Sequence, residues 1–273
     1  MNKLSKWYVV PTGLILLSSQ TQVLAGGAYA SDDDFFEAAA EFIETTDGYA
    51  QRSLKASYKK EVKATGVNYG IRSQANHFRD NHKKFKGHEI AIHAGKKVND
   101  AVHIEAGVGK SHVEDEYGYQ EKTETSYYVQ GKFKPNEKVE VKLRHEHDLA
   151  YKNRQLINQH GEILSEDVTT AEINVRPAEK IRLHAKTQHS ELSDDNSANK
   201  HKVGAYYTVL PGWPYAEVGI EGSQIDYEKQ DDGYWTPDNY RAVSLVGSAS
   251  FPVNKKLDVS TSAVVSRSKE EGV

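Results

Sequence analysis

Short segments of strict apolar/polar alternation, joined by tight turns at one end and long polar loops at the other, constrain this chain more than any other feature. From Thr125 to Phe133, Thr125, Tyr127, Val129, Gly131 and Phe133 share one face. Glu124, Ser126, Tyr128, Gln130 and Lys132 share the other. A turn at Lys134-Pro135-Asn136-Glu137 follows, and then Val139, Val141 and Leu143 oppose Glu140, Lys142, Arg144 and Glu146. Period two means a strand with one apolar face. A transmembrane β-barrel needs this pattern and this asymmetry of connections, because its two ends lie in different compartments.

The rhythm recurs. Strand segments are expected near Val67–Ser73, Ile90–Ala94, Val102–Val108, Ala171–Val175, Ile181–Ala185, Val203–Val209, Ala216–Ile220, Val243–Phe251 and Leu257–Val265. With the hairpin above, this makes about eleven strands from Thr65 onward. Tight turns fall at Val98–Asp100, Pro135–Glu137, Pro177–Lys180, Leu210–Pro214 and Pro252–Lys255, where proline needs no ladder N–H. Polar loops fall after Ser73 and at 114–121, 151–167, 190–200 and 227–239. The length asymmetry places the turns in the periplasm and the loops outside the cell. Trp213, Tyr215, Phe133 and Phe251 near the turns suit an interfacial girdle.

Composition agrees. With 273 residues, there is enough chain for one large β domain. A net charge of −4, from 35 basic and 39 acidic residues with no long basic run, gives no reason to expect a nucleic-acid partner. Mean hydropathy of −0.71 excludes a helical membrane protein but not a barrel, whose polar lumen dilutes its lipid face. Lys3 and Lys6, the apolar stretch Trp7–Ser19, and small-residue patterns at Val23-Leu24-Ala25 and Ala28-Tyr29-Ala30 read as a secretory signal peptide over residues 1–30.

Residues 31–64 stand apart. Ser31-Asp32-Asp33-Asp34, followed by Phe35, Phe36, Ala38, Ala39, Phe42 and Ile43, predicts a short N-terminal helix to about Thr45. It would sit at the periplasmic mouth, plug the lumen or form a tail. Residues 49–64 fit helix or strand. The division expected is therefore a signal peptide over 1–30, a periplasmic helix and linker over 31–64, and an outer-membrane barrel over 65–273. The fold class is all-β, an antiparallel transmembrane barrel of about twelve or more strands. Porin strands are even in number. An odd count and a polar end at Lys269–Val273 suggest a chain lacking its final strands.

Gly233-Tyr234-Trp235-Thr236-Pro237-Asp238-Asn239-Tyr240, leading through Ser244 to Phe251-Pro252-Val253, resembles an element of exopolysaccharide-export barrels. It is most similar to the C-terminal barrel of the cellulose synthase operon C proteins, and barrels that export poly-N-acetylglucosamine carry a related aromatic-x-Pro element. The match covers about 20–40 residues closely and the rest in architecture. The resemblance implies passage of a cellulose-like or amino-sugar polymer through the outer membrane in biofilm matrix export. It implies as partners outer-membrane lipid, a polysaccharide and a periplasmic scaffold or synthase complex. The chain lacks the long tetratricopeptide array of that family.

Candidate lumen contacts to saccharide are Tyr128, Arg144, Arg182, Tyr206, Glu217 and Glu221, with Tyr234 and Trp235 offering ring faces in an outer loop. Each lumen residue also has a structural reading, a salt-bridged wall that holds the barrel together. Twelve histidines raise the question of chemistry. His145 and His147 share the lipid-side face of one strand and lack an identified third ligand, so no metal is expected. His93, His103 and His184 fall on lumen positions. No nucleophile elbow is present, and neither an enzyme nor a cofactor is expected. The other function class is a non-transporting structural or adhesive barrel acting through its loops. The other fold is a soluble β-sandwich.

Overall fold

A computed structural model of the chain describes residues 7–10, 13–19, 32–44, 50–62, 64–80, 83–150, 157–212, 214–254 and 257–271. The strands are β1 (Trp7–Val10), β2 (Gly13–Ser19), β3 (Asp32–Glu44), β4 (Ala50–Val62), β5 (Val67–Asp80), β6 (Lys83–Lys97), β7 (Val102–Asp115) and β8 (Glu121–Asn136). They continue with β9 (Val139–Leu149), β10 (Ser165–Ala178), β11 (Ile181–Leu192), β12 (Ser197–Pro211), β13 (Tyr215–Tyr227), β14 (Asp238–Asn254) and β15 (Leu257–Glu271). From β2 to β15, each pairs antiparallel with its neighbour in sequence, and β1 and β2 lie along β15. The twelve strands β4–β15 run in sequence order, and eleven of them start after Thr65.

Alternation becomes two faces. Ile92 is 61% exposed and Leu245 63%, and Ile104, Val129, Leu143, Leu183, Val203 and Val218 are exposed beside them. On the opposite face, Glu89 is 3% exposed, and Ser111, Ser126 and Tyr128 are buried. A belt of exposed Ile, Val and Leu on strand after strand far exceeds what a soluble monomer leaves in water. It needs lipid. A packed sandwich would bury that face and expose the polar one, so the sandwich alternative fails.

The turns form where expected. Asn99 Oδ1 accepts from the Ala101 and Val102 amides at 2.9 Å each. Asn136 repeats the device with Lys138 at 2.9 Å and Val139 at 3.0 Å. An asparagine side chain thereby stands in for a turn carbonyl.

Four expectations are corrected. Residues 32–44 form β3, paired along β4, where a helix was expected. With β4 alongside, the backbone groups find cross-strand partners, and helical spacing of the apolar residues does not decide the matter. The ambiguous stretch 49–64 is largely β4. The polar loop expected after Ser73 is strand, since β5 runs to Asp80 and pairs with β6 down to Lys83. The loop expected over 190–200 shrinks to the four residues between Leu192 and Ser197. Most of β3–β15 exceed the 9–11 residues that cross a bilayer, with β14 reaching 17, so their ends project into water and carry polar sequence. Tyr215 turns inward and donates to Glu217 at 2.7 Å, away from any girdle. Phe133, Tyr69 and Tyr207 are exposed near the tight-turn end, where a girdle belongs. Trp213 and the cleavage patterns at 23–30 lie outside the described residues.

Candidate functional site

The inner wall carries two aromatic–guanidinium–carboxylate clusters. In the first, the Tyr128 ring lies across β7 over Gly107, where a Cβ would meet the ring at 2.4 Å. Its hydroxyl donates to Glu105 at 2.8 Å, and Lys59 reaches the same carboxylate at 3.2 Å. Arg72 and Arg144 hold their guanidinium carbons 4.7 and 4.2 Å from the ring centre. Arg72 binds Glu89 at 2.7 Å, and Arg144 binds Glu146 at 2.5 Å.

The second cluster repeats the plan on β11–β13. Tyr206 lies over Gly219, with a Cβ clash again at 2.4 Å, and its hydroxyl donates to Glu221. The Arg182 guanidinium sits 3.7 Å over the ring and binds Glu217 through two nitrogens, at 2.5 and 3.3 Å. Lys202 reaches Glu221 at 3.0 Å. Six of the eight sequence-predicted residues thus meet in these two clusters. They bind one another, and the charge-assisted hydrogen bonds hold the wall in one arrangement. His93, His103 and His184 also fall within this wall: His93 abuts Gly70, His103 lies near Asn68, and His184 is 3.5 Å from Glu172. His145 and His147 lie on the other face beside Tyr127.

The two ends of the lumen differ. At the tight-turn end, a polar cleft of about 390 Å³ is lined by Lys59, Asn68, His103, Glu105, Gln130 and Lys132, among others. At the long-loop end, the inward positions become apolar. Phe78, Phe85 and Val113 pack against Leu149, Ile157 and Ile163. Leu192, Ala198, Tyr227 and Tyr234 pack against Ala150 and Leu164. Residues 157–164, in the β9–β10 connection, are therefore folded inward, between β5–β7 on one side and β11–β13 on the other.

This inward segment is tightly held. Ile157 pairs with Ile163, and Asn158 Oδ1 accepts from the His160 and Glu162 amides at 3.0 Å each. Lys122 donates to the Ile163 carbonyl at 3.1 Å, and Gln120 donates to that of Gly161 at 2.8 Å. The Gln159 amide donates to Asp231 at 2.9 Å. Gly233 approaches so closely that a Cβ would stand 2.2 Å from the Asn158 carbonyl carbon.

Tyr234, expected to offer a ring to solvent, is 7% exposed. Its hydroxyl accepts from Asn196 at 2.8 Å and donates to Asp194 at 3.1 Å, and burial pushes that hydroxyl's pKa up. Trp235 is 43% exposed and meets Tyr240 edge-on at 5.0 Å. Sequence reading missed the apolar mouth. Phe78, Phe85 and Val113 sit on the polar-face parity of their strands, and that break in pattern was the available signal.

Lipid-facing apolar belt, polar inner wall, tight turns at one end and folded loops at the other define a membrane β-barrel of the outer-membrane type. No protein-family model and no curated sequence matches the chain. Among solved structures, it is similar to a bacterial polysaccharide outer membrane secretin, with a TM-score of 0.60 and 10% identity over 96% of this chain and 80% of that one. Looser likenesses are OmpT, an outer membrane protein of Vibrio cholerae (TM-score 0.42, 9% identity, 97% of each chain), and the siderophore receptor PirA from Pseudomonas aeruginosa (0.39, 9%, 98% of this chain and 67% of that). At such identities the likeness is one of fold.

Proposed function

We propose that this barrel sits in the outer membrane and passes an extended saccharide chain, with the segment 157–164 closing its outer mouth at rest. The observation that carries the reading is the inner wall. It is polar and charged through the middle of the barrel and opens at the tight-turn end into a cleft of about 390 Å³. Tyr and Arg planes with carboxylates between them suit hydroxyl-rich rings, which present both apolar faces and donors. The likeness to a polysaccharide secretin supports it, as does the resemblance of Gly233–Tyr240 to export barrels. In this reading a periplasmic scaffold or synthase complex delivers the polymer, and no bond-making step is involved.

One observation favours a second reading, a non-conducting barrel that acts through its surface loops: the apolar packing of the outer mouth. Planar-bilayer conductance separates the two. Wild type is expected to conduct weakly. Gly233→Val, whose side chain cannot fit against Asn158, is expected to displace the 157–163 hairpin and raise the conductance severalfold. A Gly233→Val barrel that is folded, as judged by heat-modifiable gel migration, but still closed would support the second reading.

A further inference from the structure

Three lysines on the inner wall of β9–β12 have no hydrogen bond or ion pair among the described residues: Lys142, Lys186 and Lys200. Their placement is concentrated. The register sets Lys132 opposite Lys142, Lys142 opposite Glu172, Glu172 opposite Lys186, and Lys186 opposite Lys202. Lys200 lies one inward step further toward the loop end on β12, opposite Gln188. One transverse rung across β8–β12 therefore carries four ammonium groups and a single carboxylate. Two of its contacts are like-charge pairs directly opposed, an arrangement that costs stability on a sheet.

The nearby carboxylates are already engaged. Glu172 accepts from Asn174 at 3.0 Å and faces His184 at 3.5 Å. Glu146 is held by Arg144, and Glu221 by Lys202 and Tyr206. Glu166 faces Lys200, and Lys186 lies nearby as well. The three unpaired lysines are half-buried, so they reach the lumen with part of their hydration removed. A cation in that position gains most from an oxyanion that enters the lumen, because attraction strengthens as water is excluded.

We propose that Lys142, Lys186 and Lys200, with Lys202 beside them, form an anion-binding rung that selects a saccharide bearing carboxylates along its length. The proposal rests on the conduit reading and narrows it: the cargo is acidic, in contrast to the neutral or amino-sugar polymer implied by the sequence resemblance. A repeating carboxylate would be handed from the Lys142–Lys186 rung to Lys200. The cargo's carboxylates would take the place of the counter-ions these ammonium groups lack.

Titration calorimetry on the refolded full chain in detergent tests this independently of conductance. The probes are a uronate oligosaccharide, a neutral glucan oligosaccharide of equal length, a chitosan oligomer and inorganic phosphate. The uronate oligomer is expected to bind with an affinity that falls as salt is raised. The neutral and cationic oligomers should bind at least tenfold more weakly. Inorganic phosphate, a lone anion, should be weaker than the oligomer, and equal binding would assign the rung to free anions and overturn the saccharide claim. Lys142→Gln/Lys186→Gln should lose at least tenfold in uronate affinity while gaining thermal stability, because both like-charge contacts are relieved. Lys55→Gln, an inward lysine on β4, is the control and should bind as wild type. Equal binding of neutral and acidic oligomers, or a double variant that binds like wild type, would falsify the rung. A barrel that binds uronate but never conducts, even as Gly233→Val, would sink the conduit reading and leave the rung standing.

Discussion

The two ends of this lumen are built from the same alternating strands, yet one is wet and the other is dry. At the tight-turn end, the inward positions are Lys59, Asn68, His103, Glu105 and Lys132, around an open cleft. At the loop end, the same parity carries Phe78, Phe85, Val113, Leu192 and Tyr227, and residues 157–164 fold in to cover them. The difference teaches that parity decides which way a side chain faces, while residue type decides whether that face holds water or a plug. The wet half is held by charge-assisted hydrogen bonds and the dry half by packing. They should therefore fail differently.

The largest effect is expected at the dry end. Phe85→Ala removes a ring that is 2% exposed and stacks on Phe78 at 5.7 Å. A loss of about 3–5 kcal/mol is expected, read by urea unfolding of the refolded barrel. If the loss is instead confined to protease sensitivity at the β9–β10 connection, the plug unfolds as a separate unit. Next comes the lipid face. Ile92→Arg, at mid-strand, should cost about 2–4 kcal/mol in vesicles. Lys142→Gln, on the other face, should cost nothing measurable. Equal losses would contradict the two-face description.

Tyr128→Phe tests the wet half by deleting the hydroxyl bonded to Glu105. About 1.5–3 kcal/mol is expected, as for a hydrogen bond to a charged group. A neutral result would mean that Lys59 alone satisfies Glu105. The smallest effect is expected at Trp235→Ala, at a half-exposed site, where stability should move by no more than about 0.5 kcal/mol. Polymer export per folded barrel should fall if the ring contacts cargo. Unchanged export would leave the Gly233–Tyr240 loop a structural strut.

The wet half was more legible in the sequence than the dry half. Period two located all eleven strands after Thr65, and proline with asparagine located the turns, because both signals are local. Tyr128, Arg144, Arg182, Tyr206, Glu217 and Glu221 followed from parity alone. What was hidden depends on distant chain. The β3 segment looks helical until β4 is alongside. Tyr234 looks like a free ring until Asn196 and Asp194 close on its hydroxyl. The plug needed β5–β7 and β11–β13 to converge on one connection, and no window of sequence contains both. The short span between Leu192 and Ser197 was overestimated because strand ends beyond the bilayer are as polar as loops.

The two tyrosines that bridge the wet half have a consequence for how the barrel assembles. Each ring can lie flat only where the neighbouring strand lacks a side chain, at Gly107 for Tyr128 and at Gly219 for Tyr206. A hairpin joined one residue out of step would turn the ring to the lipid side. For β12–β13, a slip of two would set Tyr206 against Glu217 or Glu221 instead of bare backbone. A β12–β13 hairpin mispaired by two would therefore lose the gap its ring needs, whereas on β7 Gly109 offers Tyr128 a second bare position. Tyr206 and Gly219 thus act as a key and a slot that favour one alignment of β12 with β13.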